Sequence, residues 1–121
     1  MALTPDNTAA MAAHLLHLRK RFLDGLPDRA AELVQAVDAW TRAASPETAE
    51  QARLAIASAL HRLAGAAGIH GLMPLCGQAH QLEDAVATAA GPSAALRSAL
   101  DALSASLLLP HDDAGTGDPA G

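Results

Sequence analysis

The stretch from His61 to Glu83, HRLAGAAGIHGLMPLCGQAHQLE, decides how the rest of the chain is read. A helix advances about 100° per residue, so Ile56, Leu60, Leu63 and Ala67 fall within roughly 60° of one another and form one buried stripe. On the same wheel His61 points roughly 130° away from the centre of that stripe. Leu54, Ser58, Gly65 and Gly68 share its outward face. Glycine inside a helix costs about 1 kcal/mol relative to alanine, so Gly65 and Gly68 beside an exposed imidazole give up stability for close approach. That ground reads as a face on which a partner docks flush.

The segment Gly68 to Gly71 ends this helix, because glycine tolerates the left-handed conformation of a C-cap, and a tight reversal follows. Leu72, Leu75, Ala79, Leu82 and Val86 then lie on one stripe of the next helix, with Cys76 flanking it. Pro74 is tolerated there because it falls in the first turn. Upstream, Ser45-Pro46-Glu47 opens the helix that carries His61, with serine as N-cap, proline in the first turn and an acid near the helix start. Thr4-Pro5-Asp6 gives the same signal for the first helix, whose Met11, Leu15, Leu18 and Phe22 recur at four, three and four residues as a core face. Asp24-Gly25 ends or bends that helix. Pro27 starts the next, in which Leu26, Ala30, Leu33, Val37 and Trp40 keep helical spacing to about Thr41; one kinked helix is the alternative. Downstream, Gly91-Pro92-Ser93 marks a turn, and Leu96, Leu100, Leu103 and Leu107 give the last helix its core face.

Short connections between amphipathic helices favour antiparallel neighbours. The expected fold is all-α, an antiparallel up-and-down four-helix bundle with an additional N-terminal helical segment. One domain spans 4–109, and 110–121 form a disordered acidic tail without apolar periodicity.

Composition agrees and excludes much else. The 121 residues are half hydrophobic with 2% aromatic, mostly alanine and leucine, which favours helix over sheet. A formal charge of -5 argues against nucleic acid, which selects clustered Lys and Arg. Cys76 is the only cysteine, so no intramolecular disulfide forms and a reducing compartment suits the chain. With no signal-peptide pattern at the N-terminus and no apolar run near the ~20 residues of a membrane span, the protein is expected in the cytoplasm, away from the membrane and monomeric.

His61-Arg62-Leu63-Ala64-Gly65, the glycines at 68 and 71, Leu72, Leu75 and the Leu82-Glu83 dipeptide resemble the histidine-containing phosphotransfer (HPt) domain family. The resemblance covers about 24 residues closely. It implies a four-helix bundle with one phosphorylatable histidine, His61, which takes a phosphoryl group from the phospho-aspartate of a receiver domain and passes it to another. The implied partners are response-regulator receiver domains and a hybrid histidine kinase, with the Mg²⁺ held by the receiver and no cofactor bound by this chain. Leu54, Ser58, Arg62, Ala64, Gly65 and Gly68 are the docking residues expected around His61. The family often carries a lysine three residues after the histidine, where this chain has Ala64. Arg62 and Arg53 are the cations nearest in sequence.

Elementary chemistry is consistent with that role. A neutral imidazole is a competent nucleophile, and attack on an acyl phosphate needs positioning and charge neutralisation more than a base. No Walker-type glycine loop and no Ser-His-Asp spacing is present, so the chain is expected neither to bind ATP nor to turn over a metabolite by itself, and the resemblance implies a phosphotransfer intermediate without autokinase activity. The alternative is a receiver-binding or scaffold bundle in which His61 is not modified. A metal-binding bundle is remote: His14 and His17 are three apart, but lack the Glu-x-x-His pairs that would complete a site. His80 is spaced for an ion pair with Glu83 or Asp84, His70 shapes the turn, and His111 belongs to the tail. Cys76 reads as a small core residue, and Arg19-Lys20-Arg21 as a solvated helix end.

Overall fold

A computed structural model describes residues 5–111, and every regular element among them is a helix. The order is α1 (Pro5–Asp24), α2 (Leu26–Arg42), α3 (Pro46–Ile69), α4 (Met73–Thr88) and α5 (Ala94–Leu107). Helix α3 packs against α2 and α4, and α5 packs against the same two, so the four close into a ring around one core. Leu26, Leu33, Ile56, Leu60, Val86, Leu100 and Leu107 fill its centre with next to no exposure.

Local chemistry sets the helix ends. The Ser45 hydroxyl accepts from the Thr48 N–H (3.1 Å), while the Thr48 hydroxyl accepts from the Ser45 N–H (3.2 Å), a reciprocal box that satisfies two otherwise orphan donors. Ser93 caps α5 through the Leu96 N–H at 3.1 Å. Helix α3 closes on Gly71, whose φ of 77° lies in the left-handed region. There the Leu72 N–H reaches back to the Ala67 carbonyl (2.8 Å) and the Gly71 N–H to that of Gly68 (3.2 Å), the paired bonds of a Schellman end. The reversal into α4 is therefore as short as expected.

At the other end of the α3 and α4 pair, Arg53 holds Glu50 through two hydrogen bonds and donates to the Ala87 carbonyl (3.3 Å) in the last turn of α4. Its hydrogen bond keeps the Glu50 carboxyl below the usual carboxylate range.

The two readings of the N-terminal region merge into one geometry. The N–H of Gly25 bonds the carbonyls of Arg21 and Phe22 (both 3.1 Å) as if the helix continued. Two residues on, Pro27 has no N–H to offer the Leu23 carbonyl and its ring crowds it, so the axis bends there. Helices α1 and α2 are one bent helix interrupted at a single residue. All five apolar residues of the α2 stripe, from Leu26 to Trp40, are buried.

The α1 stripe requires a correction. Phe22 is buried, but Met11 and Leu15, expected on a core face, are each 53% exposed. A 20-residue helix is about 30 Å long, and only its last turns cross the end of the bundle. They are held by the Phe22 ring stacked on His70 (centroids 5.1 Å apart) and by Arg19 donating to the His70 carbonyl. No α2–α5 surface extends beneath the earlier turns, so their apolar face is left open.

Among the described residues no helix is long and apolar enough to cross a membrane. His111 turns back on α5, donating from Nε2 to the Ser106 carbonyl at 3.0 Å. The Thr4 cap and residues 112–121 of the tail lie outside the described residues.

Candidate functional site

His61 sits in the middle of α3 on the side facing α4, with its side chain 71% exposed. The bundle packing positions it: Leu60 before it and Leu63 after it are buried, which turns the residue between them outward. Across the groove, α4 presents Glu83 one residue after the half-buried Leu82. The Glu83 carboxylate lies 3.1 Å from His61 Nδ1 through Oε2 and 3.4 Å through Oε1. An ionised carboxylate only accepts, so Nδ1 carries the proton and donates it. In the neutral ring Nε2 then keeps its lone pair. The same carboxylate lies 3.7 Å from Nδ1 of His80, the ion-pair partner its spacing predicted.

The expected docking residues divide. Leu54 is 53% exposed, and Ser58 and Arg62 are also exposed. Gly65 is exposed too, and a side chain added there would meet nothing within 4 Å. Ala64 and Gly68 are corrections. Ala64 has 0% exposure, because α4 closes over that side of α3. Gly68 is half-buried, and a Cβ on it would lie 3.4 Å from Cys76 Sγ, so the approach it permits is that of α4 and not of a partner. Ala64→Lys forces a long side chain into filled space and is expected to lower stability by about 1–3 kcal/mol, read as a lower urea midpoint.

Neither nearby arginine is turned toward His61. Arg62 reaches the other way, to Glu32 on α2 (2.6 Å) and to Ser58 (2.9 Å), and Arg53 is committed to Glu50 and the end of α4. One residue went unremarked in the sequence, and one pairing was not foreseen. Gly77 on α4 is exposed with open space around it, three residues before His80. Glu83 was visible as part of a motif, but its pairing with His61 depends on how α4 sits against α3.

The remaining candidates stay peripheral. His14 and His17 are exposed on α1, and Cys76 packs at the edge of the core. Among the described residues no group of three or more His, Cys, Asp or Glu is placed to hold a metal ion. The site therefore offers an outward imidazole with a carboxylate at its Nδ1, beside ground left bare at Gly65.

A family model described as Hpt domain matches residues 17–108. No curated protein and no solved structure matches the chain.

Proposed function

Because this chain belongs to the Hpt domain family, and so to histidine phosphotransfer in two-component phosphorelays, we propose that His61 is its phosphoacceptor. The group comes from the aspartyl phosphate of a receiver domain and leaves to the aspartate of another. In the forward step the Nε2 lone pair attacks phosphorus, the P–N bond forms, and the P–O bond to the aspartyl carbonyl breaks with its electron pair returning to the carboxylate. The ring becomes a phosphorylated imidazolium that keeps the proton on Nδ1. Glu83 offsets the positive charge that develops there.

The observation that carries this reading is the 3.1 Å contact between Nδ1 and Glu83 on an otherwise exposed ring, which leaves Nε2 as the nucleophile. Mg²⁺ and the charge that neutralises the phosphoryl oxygens belong to the receiver in this scheme, since Arg53 and Arg62 are engaged elsewhere. The proposed setting is the cytoplasm, with a hybrid histidine kinase upstream. The test is incubation with a panel of phosphorylated receivers, following label into acid-labile, alkali-stable phosphate. Label from at least one receiver is the expected result.

The second reading is favoured by one observation, the alanine at position 64 where the family often has lysine. A domain that binds receivers but takes no label from any of them fits a scaffold.

Docking has its own test at Gly65. The position is helical and open, so Gly65→Gln is expected to raise stability by about 0.5–1 kcal/mol through helix propensity. The added side chain fills the approach to His61, and receiver affinity is expected to fall at least about tenfold, about 1.4 kcal/mol, in a binding titration. Unchanged affinity places the docking face elsewhere.

A further inference from the structure

Of the nine large apolar side chains that stand exposed among the described residues, seven lie at one end of the bundle. Three chain segments meet there. Helix α1 brings Met11, Leu15 and Leu16, the α3–α4 turn brings Ile69 and Met73, and the residues after α5 bring Leu108 and Leu109. The Phe22 and His70 contact joins the first two, and a cleft of about 560 Å³ between Leu16, Leu23 and Leu107–Leu109 joins the first and third.

We propose that this end is the interface of a two-fold homodimer, in which α1 of each copy lies across the apolar end of the other. Such an interface is isologous, with one patch meeting itself, and here the patch has two complementary halves, a projecting helix and a bundle end. The exposed area of the seven side chains is roughly 800 Å² per copy, the amount each partner buries in a stable interface.

Charge supports a second copy over other occupants. Helix α1 holds Arg19, Lys20 and Arg21 against Asp6 and Asp24, a formal +1, whereas residues 25–111 hold eight acids against five arginines, a formal -3. The helix and the bundle end of a second copy thus carry opposite net charge, whereas the negative charge of the whole chain repels it from an anionic lipid surface. Helix α1 also gains support, since a segment of its length is marginal when one face is unpacked. His61 stays accessible, because it lies nine residues, about 13 Å, along α3 from His70. Dimerisation is thus independent of phosphotransfer, and it revises the monomer expected from the sequence.

Sedimentation equilibrium of the full chain from micromolar to hundreds of micromolar tests the proposal. A dimer is expected at tens of micromolar. Leu15→Asp and, from a separate segment, Ile69→Asp are each expected to raise its dissociation constant by about thirtyfold or more. Both residues are exposed, so helicity by circular dichroism should not change. A wild type that stays monomeric throughout overturns the proposal, as does a dimer that survives both substitutions. A monomer that co-sediments with phosphatidylglycerol and phosphatidylcholine vesicles also overturns it, in favour of a lipid contact.

Discussion

Replacing His61 by glutamine is expected to abolish acid-labile phosphate on the protein, a loss on the order of a thousandfold or more, with no measurable change in helicity. Glutamine keeps a polar side chain of similar reach but has no nitrogen lone pair able to attack phosphorus. The fold should not register the change, because the ring is 71% exposed and surface substitutions usually fall within about 0.5 kcal/mol. The measurement pairs transfer from a phosphorylated receiver with a urea unfolding curve of the same sample. Label that persists in the variant would move the nucleophile to another histidine, and His80, which shares the Glu83 carboxylate, is the first to examine.

One residue earlier the balance reverses. Leu60 has 0% exposure at the centre of the bundle, and Leu60→Ala is expected to cost about 2–5 kcal/mol, the lost transfer energy plus the cavity left behind. A domain of this size has about 5–15 kcal/mol in total, so the thermal midpoint should fall by about 4–8 °C for each kcal/mol lost. The urea midpoint should drop with an unchanged slope if the core opens without altering the extent of unfolding. At a temperature where the variant remains folded, transfer to His61 should continue. A drop smaller than about 1 kcal/mol would mean that the core collapses around the missing side chain.

Adjacent residues with opposite consequences show what helical periodicity makes legible. The α2 stripe, the Ser45 cap, the glycine turn at 71 and the outward direction of His61 all follow from local rules that act within a few residues, and all are found in the structure. What periodicity does not contain is which neighbour arrives at a face. Met11 and Leu15 repeat the spacing of a buried stripe, yet no described element of the chain covers them. Ala64 and Gly68 lie between the core and His61 on the wheel, and only the placement of α4 decides that they are covered. The same placement makes Glu83 the partner of His61, across a separation of 22 residues that no local rule spans.

The α3–α4 pair is fastened at both ends, by the backbone bonds around Gly71 and by Arg53 on the Ala87 carbonyl. Between these fastenings the two helices act as a vernier. One residue inserted into the first turns of α4 would advance the helix beyond it by about 1.5 Å and rotate it by about 100°, carrying Glu83 out of line with His61 and Val86 out of the core. The reversal at 70–72 exposes only Gly71, and the register it starts sets the alignment of a hydrogen bond about three turns of helix away. Length changes between Gly71 and Glu83 should therefore disturb the site and the core together.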